Sequence, residues 1–520
     1  MSTVGRVSAV GQGAVLALDQ GTSGTKGLLV TEDGRVVATA HRPLTQQYPE
    51  PGWVEQDPAV LWRSVTGVAE ELAAQAATAG TRIIGLGLSV QREAVLAWDP
   101  ETGAALSPLV SWQDRRTAER CAKLAASAEG ELISRRTGLP VDPMFSATKA
   151  EWLLDRLDPI REAATAGRLR VGTVDAWLLH RLTGGATDAT ETGCASRTQL
   201  VCLDHADWDP DLLDLFRIPR GALPRIAASD GAGDELGHTR NVPGLADGLP
   251  IAAVLGDSHA ALFAQSYGRP GTVKATYGTG ASLMVLNPEG RRPAEGIAAT
   301  LAWRRARDAG AAHALEANIA SAGTAIRWAA QLLGTDSAGI AALAVDARED
   351  AEVYLVPAFS GLGAPYWDRS ARAVLVGMDL DAGPAEVARA AIESMAFQVA
   401  DTLSRFDTVL GGPVAELRAD GGPTGNDRLM TLQAELIGRP VRRAGRPEVS
   451  ALGAAYLAGT ALGIWDDADL PALAPQGTRF TSHEDDAWRN RRMADWHDAV
   501  ACARGKRTLT GQGSDTGRAR

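Results

Sequence analysis

The 520-residue chain has only four cysteines, Cys121, Cys194, Cys202 and Cys502, and no two of them form a CxxC or CxxxC pair. Four thiols spread over this length do not make the disulfide framework of a small secreted domain, so they are read as reduced. Histidine is also scarce: eight residues with no HxxxH or HExxH spacing leave a zinc site without support. Basic residues are in deficit, 52 against 63 acids, for a formal net charge of −11. Such a balance repels phosphate backbones and anionic lipid, so neither nucleic acid nor a membrane surface is an expected partner, although a small basic pocket is compatible with it. No stretch reaches the ~18 uninterrupted apolar residues of a spanning helix, and Met1 to Gly13 has no apolar export segment. A cytoplasmic location is the expectation. No pairing of nucleophile and base for covalent catalysis stands out, and the GxxxxGK[ST] phosphate loop is absent.

What is present is ordinary for a globular chain: 45% hydrophobic and 22% charged residues, enough at ~150 residues per domain for two to four domains. The 56 glycines have no period. Residues 1–12 and 506–520 lack apolar periodicity and are expected to be disordered tails. Between them, strand-like and helix-like segments alternate, which predicts an α/β fold. AVLAL (14–18), GLLV (27–30) and RVVATA (35–40) read as strands, and Asp57 before Pro58 reads as the cap of a helix carrying Val60, Leu61, Val65, Val68 and Leu72. IIGLGLSV (83–90) reads as a buried strand. The second half repeats the plan: GTVKATYGTG (271–280), SLMVLN (282–287), ATLAW (299–303) as a third strand, and a helix from about Ser321 to Leu333. Two similar domains are expected, with a boundary near 255–270; a chance likeness between α/β segments is the alternative.

LALDQGTSGTK (16–26) is the most informative stretch: a buried strand ends in an aspartate and runs straight into a Gly/Ser/Thr turn. Backbone N–H groups and hydroxyls of such a turn can cradle phosphate oxygens while the aspartate holds a divalent cation, and the same composition also suits a plain hairpin. TYGTG (276–280) offers the same chemistry in the second half, so the two turns are expected to grip one polyphosphate across a cleft. Asp257, in VLGDSHAALFA (254–264), reads either as a helix cap or as a general base taking a proton from a substrate hydroxyl. RADGGPTGN (418–426) reads as a connector or as a nucleotide contact. Arg92 and Glu93, just past a buried strand, would donate to and accept from neighbouring hydroxyls; a surface ion pair is the plainer reading. His259 either faces the substrate or lies on a helix surface, Arg115 and Arg116 either form a basic spot or, as the plainer reading, lie on a solvated helix face, and the tryptophans are expected mostly in core and interdomain packing.

In order along the chain stand LALDQGT, QRE, DPMFSATK (142–149), GDSHAALF, TYGTG, VPAFSGLGAPYWD (356–368), DGGPTGN and ALGAAYLAG (451–459), with AVLVGM and EVARAAIE seven residues apart (373–393). PGWVEQDP (51–58), RRTAER (115–120), TGLPVDP (137–143) and GTVDAWLL (172–179) extend the likeness. From about residue 14 to 500 the chain resembles the FGGY carbohydrate kinases, and among them the glycerol kinases. The resemblance implies an actin-like ATPase fold in which two ribonuclease-H-like domains, 13–260 for substrate and phosphate and 261–505 for nucleotide, flank a cleft holding ATP. It further implies that Asp19 serves a Mg²⁺–phosphate site. Thr22, Ser23, Gly24 and Lys26 then form the first phosphate loop and Thr279 the second, with Gly323, Gly422 and Asn426 touching the nucleotide. Arg92, Glu93, Trp112 and Asp257 bind the polyol, Asp257 acting as base. Members of the family are often homodimers or homotetramers.

The chain departs from the glycerol-kinase pattern at Met144, Ser258 and Ser282, where that pattern has tyrosine, glutamine and phenylalanine, and at Arg327 on the nucleotide side, where it has glutamine. Losing rings from a pocket wall frees space. ATP-dependent phosphorylation of glycerol to glycerol 3-phosphate is the leading expectation; a tetritol, a pentitol or a ketose such as xylulose or ribulose is the alternative. A non-catalytic actin-like nucleotide switch is the alternative of another class, opposed by Asp257 and the QRE segment. Residues 236–250 lack the loop with which some bacterial members bind fructose 1,6-bisphosphate, so that inhibition is not expected.

Overall fold

The apolar run at 14–18 becomes β1 (Gly13–Gly21) of a computed structural model that describes residues 12–505 except 232, 233 and 295. The expected tails, Gln12 apart, fall outside the described residues. β1 is continuous in apolar residues because both of its faces are covered. Leu16 and Leu18 face Leu61, Val65, Val68 and Leu72, whereas Val15 and Ala17 face a layer that includes residues 260–264 and 449–458. β1 turns into β2 (Gly24–Thr31) and then β3 (Val36–Pro43), both antiparallel. α1 (Pro58–Ala79) starts as expected, with Pro58 at its first position and the Asp57 carboxylate accepting from the Ala59 amide at 2.7 Å. β4 (Arg82–Val90) and β5 (Ile251–Gly256) complete a five-stranded sheet in the order β5-β4-β1-β2-β3, with β4 and β5 parallel to their neighbours. The 160 residues between them carry three strands of a small four-stranded sheet, whose fourth, Glu55–Gln56, precedes α1, and the helices around Ser146–Leu157 and Thr192–Ser196.

α2 (Asp257–Ser266) leads into the second sheet: β6 (Thr272–Tyr277), β7 (Ala281–Leu286), β8 (Ala298–Trp303) and β9 (Ala312–Ile319). After α3 (Gly323–Leu332) and the long α4 (Pro384–Leu410) come β10 (Glu416–Asp420), α5 (Asp427–Ile437), β11 (Val441–Arg443), α6 (Val449–Ala461), β12 (Arg479–Phe480) and α7 (Asp486–Ala503). The strand order is β8-β9-β7-β6-β10-β11-β12, so β9-β7-β6-β10-β11 repeats β3-β2-β1-β4-β5, with the same antiparallel and parallel pairings. The repeat expected from sequence is therefore present, with one correction. ATLAW forms an edge strand, and the counterpart of β3 is β9, whose AHALEANI sequence is rich in the alanine and glutamate that strands disfavour.

α2 and α6 form the layer between the sheets. One core joins Val15 and Ala17 of β1, Leu255 of β5 and Met284 of β7 to Ala260, Phe263, Ala455 and Tyr456. The helices meet at Gly453, where a Cβ would stand 1.8 Å from the Ala260 carbonyl oxygen, so only glycine fits. The four cysteines are unpaired, as expected, and among the described residues no helix is long and apolar enough to cross a membrane.

Candidate functional site

Each sheet ends in a tight hairpin, and the two hairpins occupy equivalent places. In the first, β1 and β2 pair Asp19 with Lys26, and the parallel partner of Asp19 on β4 is Ser89. Ser89 Oγ donates to Asp19 Oδ1 at 2.7 Å, but burial dominates and pushes the carboxyl up to about 6, with the negative charge of Asp257 adding to the rise and Lys26 opposing it. At the tip, the Thr22 hydroxyl accepts from the Trp112 indole at 2.9 Å and Gln56 Nε2 donates to the Thr22 carbonyl at 2.8 Å. Buried Gln91 donates to both Gln20 (3.2 Å) and Gln56 (2.9 Å), fastening the loop from below. Ser23 and Lys26 are left exposed. Gly24 is needed for strand packing, since a Cβ there would lie 2.6 Å from the Arg42 carbonyl oxygen.

The second hairpin, Gly278–Gly280, exposes Thr279. Its carbonyl accepts from the amides of Ala322 (3.0 Å) and Thr324 (3.1 Å), and the Gly323 amide donates to the Gly278 carbonyl at 2.9 Å. A Cβ on Gly323 would meet that carbonyl at 2.6 Å, so this glycine lets the start of α3 press against the hairpin. Arg327, one turn into α3, is exposed and reaches Thr324 Oγ1. The connector after β10 approaches from the other side. Gly421, at φ 99°, lies so close to the Tyr277 carbonyl that a Cβ would meet it at 2.0 Å, while a Cβ on Gly422 would meet nothing. Asn426 caps α5 by accepting from the Leu429 amide at 3.2 Å. Bare backbone at Gly422 thus borders open space.

Between the hairpins the halves are joined by a buried ionic cluster. Arg92 and Glu93, 6% and 5% exposed, are not a surface pair; their nearest charged atoms are 4.0 Å apart and each is engaged elsewhere. Both Arg92 Nη atoms donate to Glu316 of β9, at 3.0 and 2.7 Å. Arg197 donates through Nε to Glu93 at 2.7 Å and lies 2.8 Å from Glu316 through Nη1. Two guanidiniums hold the Glu316 carboxyl well below the usual range although it is fully buried. Glu93 adopts a left-handed backbone (φ 61°), a conformation costing about 1 kcal/mol or more, and its carbonyl accepts from Ser146 Oγ at 3.0 Å.

Asp257 is the first residue of α2, 39% exposed in its side chain, with Oδ1 3.2 Å from Arg92 Nε and 2.6 Å from the Ser258 amide. The cap of the helix is Gly256 and not Asp257, which is the one carboxylate of this cluster open to solvent. His259 is fully buried rather than on a surface, and Arg92 Nη1 lies 3.3 Å from its Nε2. Arginine can only donate, so Nε2 is bare; burial and Arg92 keep the ring neutral. Lys274 of β6 is buried beside Asp420 and Asp257, and burial lowers its pKa. Ser282 of β7, paired with Thr276 and with Asn318 of β9, is half-buried and its hydroxyl has no hydrogen-bond partner. Met144 packs on Leu139, Phe145 and Ala298. Its carbonyl accepts from buried Lys149 Nζ at 2.7 Å, and the same ammonium reaches the Ser111 carbonyl at 3.1 Å, next to Trp112. Burial brings Lys149 down to about 7.

Arg116 requires a correction. It lies in a turn before a helix, buried 3.8 Å from the Trp53 ring centroid and paired with Asp114 and Glu55 at 2.8 and 2.7 Å; the aromatic faces and carboxylates replace water. Arg115 is exposed as expected, although not on a helix. Sequence reasoning did not single out Arg197, Glu316, Lys274 or Asp420. Lys274 shows only as a lone lysine inside the apolar strand TVKATY and Glu316 as a glutamate inside AHALEANI, whereas Asp420 opens the quoted DGGPTGN segment and Arg197 leaves no local signal.

Residues 14–264 match the N-terminal domain model, and 273–462 the C-terminal domain model, of the FGGY family of carbohydrate kinases. The chain belongs to that family. It is a kinase that uses ATP and an alcohol acceptor. It is 42% identical to a glycerol kinase of Alkalilimnicola ehrlichii over 95% of this chain and 98% of that one. It is 43% identical to an apulose kinase of Pectobacterium atrosepticum over 89% and 92%. Its fold is similar to that of Plasmodium falciparum glycerol kinase solved with ADP, with a TM-score of 0.89 and 28% identity over 95% and 98% of the two chains.

Proposed function

We propose that this kinase transfers the γ-phosphoryl group of ATP to a hydroxyl of glycerol, giving glycerol 3-phosphate and ADP. The reading rests above all on Asp257, a solvent-open carboxylate steadied by Arg92 at 3.2 Å where the two halves meet. Asp257 orients the attacking hydroxyl and takes its proton, because proton removal matures as the oxygen bonds to phosphorus. Arg92 and Glu93, with Trp112, Met144, Ser258 and Ser282, form the acceptor pocket. Thr22, Ser23, Gly24 and Lys26 on one hairpin and Thr279 on the other take the phosphates; Gly323, Arg327, Gly422 and Asn426 border the nucleoside. Residues 13–260 act as the substrate and phosphate domain and 261–505 as the nucleotide domain, in a cytoplasmic enzyme that assembles as a homodimer or homotetramer.

The donor set fits Mg²⁺. Among the described residues no group of three or more His, Cys, Asp or Glu forms a metal cage. Mg²⁺ ordinarily takes one or two carboxylates and completes its shell with water and phosphate oxygens, a role open to Asp19. When bound, the ion supplies charge neutralisation at the phosphates. Lys26 adds a positive charge, and closure of the halves would exclude water that competes with the acceptor.

A larger polyol or a ketose is the second reading, favoured by the unpartnered Ser282 hydroxyl, which an additional substrate hydroxyl would satisfy. ADP release measured with glycerol, erythritol, threitol, xylitol, ribitol, dihydroxyacetone, xylulose and ribulose separates the two. The highest kcat/KM falls on glycerol if the first reading holds; a longer polyol or ketose in first place replaces it by the second.

A further inference from the structure

α2, α6, strands β10 and β11 and segment 474–477 border a half-open recess of about 60 Å³. Leu417 and Val441 point into the core on one face of the second sheet. Their neighbours Arg418 and Arg442 therefore point to the opposite face, toward α2 and α6. Arg443 and Arg446 also line the recess, and among the described residues no aspartate or glutamate does. Three carboxylates outside the lining serve these four guanidiniums. Arg418 is held by Glu416 and the Gln265 carbonyl, and Arg443 by Asp427 at 2.6 Å. Arg442 and Arg446 are held loosely: Arg442 is 3.6 Å from the already engaged Glu416 and its Nε has no hydrogen-bond partner, and Arg446 is 3.2 Å from Glu448. Tyr456, 1% exposed, also lines the recess, and its buried hydroxyl has no hydrogen-bond partner. Ala264, Val449, Leu452 and Pro475 supply an apolar wall. The close approach of segment 475–477 to 443–445 shapes it, since a Cβ on Gly477 would meet the Arg443 carbonyl at 1.8 Å and one on Gly445 the Gln476 carbonyl at 2.5 Å.

We infer that this recess is a second ligand site, for a small organic phosphate ester whose phosphate sits on Arg442, Arg446 and the Tyr456 hydroxyl and whose carbon body lies on the apolar wall. Two forked guanidiniums and a hydroxyl offer more donors than one carboxylate can use, whereas a dianionic tetrahedral head can accept from all three. A buried hydroxyl left unpaired is costly, and a ligand oxygen would relieve it. The apolar wall gives a phosphate ester an advantage over inorganic phosphate. The inference does not depend on which alcohol the kinase phosphorylates.

Calorimetric titration with phenyl phosphate tests it, with saturating ADP and Mg²⁺ present so that the nucleotide site is filled. The wild-type protein is expected to bind phenyl phosphate at least about tenfold more tightly than inorganic phosphate or benzyl alcohol, and to lose that affinity by about tenfold in Arg442→Gln/Arg446→Gln. Arg446→Gln alone and Tyr456→Phe, which leave the fold less disturbed, should each weaken binding severalfold. No binding by the wild type, unchanged binding in the folded variants, or equal binding of inorganic phosphate would each overturn the assignment.

Discussion

Glu316 ties together residues that are far apart in sequence. Arg92 follows the fourth strand of the first sheet, Arg197 lies in the long insertion, and Glu316 is on the second sheet, yet all three are within hydrogen-bonding or ion-pairing reach. Removing one partner from such a buried cluster leaves uncompensated charge, which costs about 3–5 kcal/mol. Glu316→Gln should therefore lower stability by roughly that amount in urea denaturation, and lower turnover as Arg92 loses its anchor and shifts against Asp257. A variant as stable and active as the wild type would show that Arg92 is held by something else. Sequence pattern alone could place Asp19, Arg92, Glu93 and Asp257 at the ends of apolar strands, where a sheet delivers functional groups. It could not supply Glu316 and Arg197, because an ion pair across 224 or 119 residues leaves no local trace. Nor could it foresee that Arg92 and Glu93, adjacent in the chain, would each turn to a different partner.

At the scale of elements, the strands of the first sheet were legible because β1, β4 and β5 are buried on both faces and read as unbroken apolar runs. β9 was not, since its alternation of alanine with Glu316 and Asn318 reflects a strand with one face given to the site. The contact of α2 with α6 at Gly453 shows the same limit: ALGAAYLAG has almost no polar face, and only the fold reveals that its glycine admits the Ala260 carbonyl. Gly453→Ala should cost about 1–3 kcal/mol in thermal or chemical unfolding through overpacking. It should also reduce kcat, since the displaced α2 carries Asp257; an unchanged melting temperature would mean that the helices separate freely. On α7, His497 Nε2 lies 2.8 Å from Asp401 Oδ1 of α4, and this hydrogen bond raises the imidazole pKa above 6.5. A raised folded-state pKa stabilises the fold below the unfolded value and loses that effect as pH climbs through the folded one. The stability difference between the wild type and His497→Gln should accordingly be largest near pH 6 and vanish toward pH 9. A difference that grows with pH would reverse the assignment.

In the whole molecule, a strand–hairpin–strand unit occurs twice, and α2 and α6 lie between the two copies. The duplication was readable from two Gly/Ser/Thr turns of the same chemistry some 260 residues apart. How the copies face each other was not, because that depends on helices drawn from both halves of the chain. The arrangement puts Asp257 at the N-terminus of an inter-sheet helix, between a hairpin from each sheet, and the account of phosphoryl transfer depends on that placement. The most direct test is Asp257→Asn, measured for both turnover and ADP binding. Loss of a general base typically costs about 10²–10⁴ in rate, so kcat with glycerol should fall by that factor while the affinity for ADP stays within about twofold. Turnover close to that of the wild type would contradict the account, as would a loss of activity matched by a loss of ADP binding.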